Sequence, residues 1–480
     1  MTLILGTCEL PLLNSRETGM TYRQTTIEIL PEDTLLEIFD FYRLDAIPRS
    51  SGRPWKWHRL AHVCQKWRRV MSLSPRRLGL RILCKSKTPI EHIMDFWPTL
   101  PLVVRYKNPK PSSLNKNIVA ALRRPDRVCE IDLNVTIVTT GPIVELIQEP
   151  FLLLERVKMK ITHNGATTPP VFTTFLGGSA PRLEEIELDG VTIPFPALRR
   201  LLLSTNNLVR LTLWNIPNTC YFPPDALVPC LSALVHLKSL WVGFGFPVSF
   251  PSSSRAHLPL ERATLPSLTF LNFRGASEYL EGVVARTNFP SLTGLWIRFS
   301  NQLVFEVSQL YQFMSRVHGL KSFSEVIVIP SVDHVTITLT QRGERRRNVG
   351  QCSLEIKCSQ LNLQLSSMTQ IFSQLSPLLS NVKTLAIRKS SFPPTGQEDV
   401  ALTQWLELFQ LFPRVWEVRV IEELVPGVVH ALATEDMATG MLPRLIFLHL
   451  EKFRQSPSMV EAVEQFVAVR GHRIRVYDYA

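Results

Sequence analysis

The sequence has few of the features that catalysis or metal binding would need. Eight cysteines are scattered over 480 residues without a CxxC pair, which favours separate core thiols over a disulfide framework or a zinc site. The motifs GxSxG and HExxH, a phosphate-binding glycine loop and a dinucleotide fingerprint are all missing. We therefore expect this chain to have no enzymatic activity of its own, no catalytic residues, no metal and no cofactor.

Long apolar runs are also missing from the sequence. No stretch approaches the ~18 to 20 uninterrupted apolar residues that a bilayer span needs. The start of the chain, Met1 to Leu13, is mildly apolar but has neither a basic leader nor an evident cleavage site. These features predict an intracellular protein, cytoplasmic and/or nuclear, without a membrane partner.

Acidic residues are absent from one basic segment. Between Ala46 and Ile90 there are twelve Lys or Arg residues and no Asp or Glu, which equals the whole net charge of +12. Such a concentrated positive field favours an acidic partner, whether protein, nucleic acid or membrane surface.

Two apolar helix patterns flank the beginning of this basic segment. Pro31, Glu32 and Asp33 suit a first helical turn, and an apolar stripe follows at Leu35, Ile38, Phe39 and Tyr42. A Pro- and Ser-containing connector precedes a second helix, which is predicted from about Trp55 to Met71. Its apolar arc is wide for so short a helix, so we expect it either to lie in a core or to be shared with another chain.

The two halves of this segment, Leu30-Pro31 with Leu35-Leu36-x-Ile38-Phe39 and then Val63-Cys64-x-x-Trp67, resemble the F-box pattern. F-box modules bind the Skp adaptor of cullin-RING ubiquitin ligases, so the resemblance implies that partner. The connector between the halves is longer and more polar than in the usual pattern. The adaptor contacts implied by the resemblance are Leu30, Pro31, Leu35, Ile38, Val63, Cys64 and Trp67.

A six-residue phrase, apolar-x-x-apolar-x-apolar, recurs eleven times from Arg127 onward. Examples are Leu183-x-x-Ile186-x-Leu188 and Leu292-x-x-Leu295-x-Ile297, and most copies are about 24 to 33 residues apart. This phrase and period resemble the leucine-rich repeat. We predict an α/β chain with a small helical F-box-like module followed by an irregular leucine-rich-repeat solenoid, with parallel strands on the concave face and helices outside.

The gap between two of these phrases is twice the usual length. It contains two alternating segments around a polar turn, which predict an inserted hairpin near 332–358. Leu354-Glu-Ile356-x-Cys358, followed by Gln364-Leu365-Ser366-Ser367, also resembles the C-terminal region of fungal F-box proteins. The predicted divisions are an N-terminal extension (1–28), the F-box-like module (29–72), a linker or capping region (73–126) and the solenoid (127–480).

Residues that alternate with the inner apolar positions should face the open side of the sheet. The first three predicted rungs carry acidic, basic and acidic side chains in turn, which favours a ladder of ion pairs within the chain. The following rungs collect large aromatic side chains and arginines, a composition typical of binding hot spots. An alternative is that the segment from Pro247 to Pro266 covers them. The candidate target contacts are Trp214, Trp241, Phe270, Arg274, Trp296 and Arg298.

Three functions remain open at this point. The resemblance favours a substrate receptor that binds the Skp adaptor through the F-box and an unknown target protein through the repeats. A second hypothesis is a nucleic-acid or anion binder using the basic segment and the arginines Arg342 and Arg345 to Arg347. No RNA-binding aromatic motif accompanies them, which argues against nucleic acid. The third is an interaction scaffold of the same fold that binds no adaptor, in which the first two helices only cap the solenoid.

Overall fold

A computed structural model of the protein describes residues 29–46, 58–75, 77–107, 114–162, 169–245, 262–300, 302–342, 348–388, 402–421, 424–433, 442–451, 457–470 and 475–479. The chain divides into two compact units, Met1–Arg81 and Ile82–Ala480. The predicted extension 1–28 lies outside the described residues.

The described part of the first unit is helical, with α1 (Glu32–Ala46), α2 (His58–Ala61) and α3 (Gln65–Leu73). The predicted continuous helix from Trp55 to Met71 is wrong, because the chain turns at His62 and Val63 and a new helix begins. Cys64 provides the N-cap of that helix, with its sulfur accepting a hydrogen bond from the backbone N–H of Trp67 at 3.5 Å. The cap satisfies an N–H that a helix start leaves without a partner.

Helices α1 and α3 pack against each other. The rings of Phe39 and Trp67 meet edge to face at a centroid distance of 4.9 Å. The Lys66 ammonium donates to the carbonyl oxygen of Leu30 at 2.7 Å, which ties α3 to the residues before α1. The buried apolar side chains of this unit up to Met71 are Leu35, Leu36, Phe39, Leu60, Ala61, Val70 and Met71.

The second unit alternates strands and helices. Its strands are β1 (Ile82–Cys84), β2 (Leu102–Lys107), β3 (Val128–Thr136), β4 (Arg156–Thr162), β5 (Glu185–Asp189), β6 (Arg210–Ile216), β7 (Ser239–Phe244), β8 (Ala263–Thr264), β9 (Phe270–Gly275), β10 (Thr287–Asn288), β11 (Gly294–Phe299), β12 (Glu325–Pro330), β13 (Val335–Arg342), β14 (Asn348–Ile356), β15 (Thr384–Ile387), β16 (Glu417–Ile421), β17 (Phe447–Glu451) and β18 (Arg475–Tyr479). Its helices are α4 (Ile90–Phe96), α5 (Lys116–Leu122), α6 (Ile137–Leu146), α7 (Phe195–Ser204), α8 (Pro224–Ser232), α9 (Ser277–Ala285), α10 (Ser308–Arg316), α11 (Leu361–Leu379), α12 (Leu402–Gln410), α13 (Val425–Ala433) and α14 (Pro457–Arg470).

One sheet of 16 strands runs through this unit in the order β1-β2-β3-β4-β5-β6-β7-β9-β11-β14-β13-β12-β15-β16-β17-β18. All of its strand pairs are parallel except the two that involve β13. Each of the eleven predicted phrases ends on a strand of this sheet. The second unit is therefore an α/β repeat solenoid, in which each strand–helix unit buries apolar surface against the next.

Alternation along each strand separates the two faces of the sheet. In β5 the side chains of Ile186 and Leu188 are buried, whereas Glu185, Glu187 and Asp189 are only half-buried. Helix α7 buries Leu198, Leu201 and other apolar residues in the same repeat. We call the sheet face that carries Glu185, Glu187, Asp189 and the residues in register with them the open face.

The repeat body starts earlier than the prediction placed it. The segment 73–126 was predicted to be a linker or capping region. Its strands β1 and β2 pair in parallel with each other, and β2 also pairs in parallel with β3, so both belong to the sheet of the repeats. The reason is visible in β2, where Leu102, Val103 and Val104 are all buried, so that the apolar alternation of the phrase is hidden. Strand β1 forms the described edge of the sheet.

The double-length gap contains the antiparallel pair β13 and β14, with Val335 opposite Ile356 and Leu339 opposite Cys352. Strand β14 pairs in parallel with β11, and β13 pairs antiparallel with β12. The chain therefore passes from β11 to β12 and then comes back through β13 and β14 to fill the space between them.

Helix α11 follows this detour and packs between α10 and α12. It has 19 residues and so spans about 28 Å. The amide nitrogen of Gln364, which is completely buried, donates to the carbonyl oxygens of Ser331 at 2.7 Å and Cys358 at 2.9 Å. The Gln374 side chain accepts from the N–H of Val307 at 2.8 Å. Glutamines thus join the helix to the segments on both sides of it.

The seven cysteines in the described residues are free thiols, and six of them are buried. Burial raises the pKa of Cys84 and of Cys352 to about 12, which keeps both protonated and unreactive. The prediction of separate core thiols is confirmed for these residues, with Cys64 the half-buried one.

A half-buried carboxylate makes one contact between repeats sensitive to pH. Glu281 of α9 accepts hydrogen bonds from the backbone N–H groups of Gln309 at 2.6 Å and Leu310 at 2.7 Å, at the start of α10. Burial raises the pKa of Glu281 to about 7, and these hydrogen bonds only partly oppose the rise. A raised pKa in the folded state means that the stabilisation is full below the unfolded value of about 4.5 and is lost as the pH rises through about 7.

We expect the free energy of unfolding to fall between about pH 5 and about pH 8, and Glu281→Gln to remove about 2 kcal/mol of that fall, because glutamine does not ionise. Urea unfolding of both proteins at the two pH values measures the difference. Equal pH dependence in the two proteins would contradict the assignment.

Candidate protein-binding surfaces

The first unit exposes several large apolar side chains. Phe41 is 71% exposed, Ile38 40% and Tyr42 36%, and they lie on one side of α1 at i, i+3 and i+4 spacing. Ile29 before α1 and Val63 in the turn before α3 are 64% and 52% exposed. We call Ile29, Ile38, Phe41, Tyr42 and Val63 the N-terminal apolar patch. Ile38, Phe41 and Tyr42 are neighbours on one helix face, and several exposed large apolar side chains on so small a unit are typical of a binding surface.

The predicted adaptor contacts fall into three groups by exposure. Pro31, Ile38 and Val63 are exposed, and Leu30, Cys64 and Trp67 are half-buried. Leu35 is completely buried, so its place on the partner surface is corrected: it belongs to the core. The sequence reasoning missed Phe41, because the helical stripe was drawn through Leu35, Ile38, Phe39 and Tyr42. Phe41 lies between Phe39 and Tyr42 in the sequence and points away from the core, since it is 71% exposed whereas Leu35 and Phe39 are completely buried.

Several cations of the basic segment are used inside the first unit. Besides Lys66, the guanidinium of Arg68 donates to the carbonyl oxygen of Ala61 at 3.0 Å, and Arg77 lies 3.7 Å from a carboxylate oxygen of Asp33. These contacts give part of the positive charge a structural role. The predicted hairpin-turn arginines, Arg342 and Arg345 to Arg347, have side chains outside those that the structure describes.

The open face of β2 to β6 carries the predicted ladder of ion pairs. Glu130 lies between two cations, with one oxygen 2.7 Å from Arg105 and the other 2.5 Å from Arg156. Further pairs join neighbouring strands, which confirms that this part of the face satisfies its own charges. They are Lys107 with Asp132 at 3.3 Å, Lys158 with Glu187 at 2.5 Å, Lys160 with Asp189 at 2.9 Å and Arg210 with Glu185 at 2.6 Å.

Beyond this ladder, four aromatic rings form an unbroken series on the open face. Ring centroids are 6.1 Å apart from Trp214 to Trp241, 5.7 Å from Trp241 to Phe270 and 5.4 Å from Phe270 to Trp296. Trp296 is 44% exposed, and the other three are half-buried. We call these four residues the aromatic patch. Residues 246–261, most of the segment that was considered as a cover for it, lie outside the described residues.

Two glycines allow the aromatic rings to lie on neighbouring strands. A Cβ atom at Gly243 would come within 2.6 Å of the Trp214 ring, and one at Gly294 within 2.7 Å of the Phe270 ring. Each ring therefore covers the strand beside its own, at a position where any other residue would collide with it. Glycine inside a strand is a sequence signal for such close approach, and the sequence reasoning left it unused at both positions.

The two predicted arginines of this surface have different surroundings. Arg298 forms an ion pair with Glu355 of the neighbouring strand at 2.7 Å. Arg274 lies with its guanidinium carbon 5.8 Å from the Trp214 ring centre and donates to the side-chain oxygen of Asn215 at 3.2 Å. The structure thus brings the six predicted target contacts together on β6, β7, β9 and β11. Asn215, which holds Arg274, was not predicted.

The described residues include neither a metal-binding cluster of side chains nor a membrane-spanning helix. They contain no group of three or more His, Cys, Asp or Glu side chains placed to hold a metal ion. Among the described helices, none is long and apolar enough to cross a bilayer.

Comparison with solved structures finds a leucine-rich-repeat-containing protein of Legionella pneumophila, with 15% sequence identity and a TM-score of 0.28. The match covers 68% of this chain and 94% of that one. At this identity and TM-score we draw no conclusion from the likeness. No known protein family and no curated protein matches the sequence. The α/β repeat solenoid is therefore defined by the repeating strand–helix pattern of the chain itself.

Proposed function

We propose that this protein is an F-box protein with irregular leucine-rich repeats, acting as the substrate-recognition subunit of a cullin-RING (SCF-type) ubiquitin ligase. In this proposal the first unit binds the Skp adaptor and the open face binds a target protein. The observation that carries it is the exposure of Ile38, Phe41 and Val63 on a small helical unit whose sequence resembles the F-box. Catalysis then consists of proximity, because the other subunits transfer ubiquitin to the target that this chain holds close.

The aromatic patch supports the second half of the proposal. Interface hot spots are rich in Trp, Tyr and Arg, and they lie where packed neighbours exclude water. The open face provides three tryptophans, a phenylalanine and two arginines on adjacent strands. A rigid sheet holds these side chains in place, so binding costs little ordering of the surface.

Adaptor binding should depend on the N-terminal apolar patch. We expect Phe41→Asp and Ile38→Asp each to weaken binding of the full chain to purified Skp adaptor at least tenfold, on the order of 1.4 kcal/mol, because a carboxylate replaces an apolar contact. Isothermal titration calorimetry measures the affinity. Both side chains are exposed, so the variants should fold like the wild type, which circular dichroism checks.

The matched control is Val138→Asp in α6, since Val138 is 70% exposed and Phe41 is 71% exposed. The control should bind the adaptor within about twofold of the wild type. Apolar docking should also survive added salt, whereas nucleic-acid affinity should collapse with it. A wild-type chain that does not bind the adaptor, or variants that bind it unchanged, would remove the ubiquitin-ligase assignment.

A further inference from the structure

Arg274 is a cation whose charge the described residues leave unmatched. Cations elsewhere on the open face, at Arg105, Lys107, Arg156, Lys158, Lys160, Arg210, Arg298 and Arg419, form ion pairs with carboxylates. No carboxylate among the described residues lies within ion-pair distance of Arg274, and its protein acceptor is the neutral side-chain amide of Asn215. Its Nε atom is buried and has no hydrogen-bond partner in the described part of the chain.

The surroundings of Arg274 disfavour its positive charge. Burial lowers the pKa of Arg274, and the neighbouring cation Arg298, which is directly in register on β11, lowers it further; the carboxylates of Glu355 and Asp189 oppose these two effects only in part. A buried donor without an acceptor is costly in a folded protein, because water cannot replace the missing partner. An anion that binds the outer guanidinium nitrogens of Arg274 would match its charge, while the buried Nε stays inside the protein.

The backbone beside Arg274 is held in an unusual conformation. Asn215 has φ 50°, which places it in the left-handed region, where the pairing of β6 with β7 is also irregular. Its side-chain nitrogen donates to a carboxylate oxygen of Asp189 at 2.5 Å, and its oxygen receives the Arg274 hydrogen bond. Strained backbone persists where the surroundings impose it, and such positions cluster at functional sites. Asn215 therefore orients the guanidinium of Arg274 against the Trp214 ring.

Arg274 has both aromatic and acidic side chains as neighbours. The aromatic patch begins at Trp214, against which Arg274 lies, and extends to Trp296 on β11. Asp189 and Glu355 stand close by, and each already has a cation partner. A nucleic-acid backbone would bring a row of phosphates against these carboxylates, whereas a single negative group can meet Arg274 alone.

We propose that Arg274 binds a carboxylate of an extended segment of the partner protein, whose adjacent bulky apolar side chains lie on the aromatic patch. Arginine is suited to this role because its planar fork matches a carboxylate with two parallel hydrogen bonds. The inference rests on the proposed use of the open face for target binding. The carboxylate belongs either to an Asp or Glu side chain or to a chain terminus.

The test uses the full chain and two random peptide libraries as probes, one with free C-terminal carboxylates and one with C-terminal amides. We expect the bound peptides to carry a carboxylate beside Trp, Phe or Leu. Converting this carboxylate to the amide should lower the affinity of the peptide for the protein about tenfold or more. Selection from the free-acid library alone identifies a chain terminus. Selection from both identifies Asp or Glu, which replacement by Asn or Gln then verifies.

Arg274→Gln should weaken the selected peptides about tenfold, since it removes the charge that the carboxylate meets. The matched control Arg210→Gln lies on the same face, but Arg210 is already paired with Glu185, so binding should change less than about twofold. An empty selection, peptides that bind without carboxylates, equal binding by Arg274→Gln, or binding of single-stranded RNA in place of peptides would each overturn the inference.

Failure of this inference is distinguishable from failure of the proposed function. Adaptor binding is measured separately, through variants of α1, and Arg274→Gln should leave it unchanged. A chain that selects acidic peptides but binds no adaptor would retain the carboxylate site and lose the ubiquitin-ligase role. A chain that binds the adaptor but no acidic peptide would retain the ubiquitin-ligase role and lose the carboxylate site.

Discussion

Replacing Gly350 with alanine is expected to destabilise the second unit by about 3 kcal/mol or more. Gly350 is buried in β14, opposite Gln341 of β13. An added Cβ would collide with the carbonyl oxygen of Gly319 and lie 2.5 Å from its carbonyl carbon. Both atoms are backbone, so no side-chain rotation can relieve the collision. Urea unfolding of the purified variant measures the loss.

Gly141→Ala is the matched control for this substitution. Gly141 is exposed inside α6, and a Cβ there would meet nothing within 4 Å. Alanine loses less backbone freedom than glycine when a helix forms, but Pro142 disfavours helical backbone at a preceding residue that has a Cβ. These two effects oppose each other, so the control should stay within about 1 kcal/mol of the wild type. A small change at Gly141 beside a large loss at Gly350 would separate the collision from any general effect of the residue type. Equal stability of Gly350→Ala and the wild type would refute the close approach.

The second large effect is expected at Glu130→Gln, which should cost about 3 kcal/mol at neutral pH. Glu130 is buried and accepts from Arg105 at 2.7 Å and from Arg156 at 2.5 Å. Neutralising it leaves two guanidinium groups close to each other with no charge between them. Burial alone would raise the pKa of Glu130, but the hydrogen bonds from Arg156 and Arg105 outweigh it, so the pKa lies below its ordinary value.

The pH dependence of this variant gives a further check. A lowered pKa in the folded state means that the stabilisation is present above the ordinary value of 4.5 and is lost as the pH falls through the folded value. The stability gap between wild type and Glu130→Gln should therefore shrink in acid. Glu187→Gln is the control, because Glu187 and its partner Lys158 are 33% and 48% exposed, and we expect it to cost less than about 1 kcal/mol. Equal costs for both variants would contradict the role of Glu130.

The sequence predicts the repeats well because their signal is local. Each phrase places two inner apolar residues two positions apart on a strand, as at Ile186 and Leu188, and this period survives in eleven copies. The signal fails where burial occurs on both faces: in β2 the run Leu102-Val103-Val104 is buried throughout. Strand β18 has no recognisable phrase either, although it pairs with β17.

The candidate surfaces were predicted less completely. The alternation along each strand identified the aromatic patch, but it could not show which arginine would have a partner. Arg298 meets Glu355 only because the detour brings β14, rather than the next repeat, beside β11. Asn215 was missed because its role depends on a left-handed backbone angle. In the first unit, Leu35 was placed on the surface because the pattern of a motif does not separate core residues from contact residues.

The detour through β13 and β14 adds an even number of strands to the sheet. Two reversals of direction cancel, so β15 runs the same way as β11. An insertion of a single strand would have inverted every later repeat and exchanged the ends at which helices enter and leave. Two extra strands instead shift β15 to β18 sideways by about 10 Å and preserve their polarity. An insertion of two strands thus widens the sheet while the repeats on either side keep their strand direction.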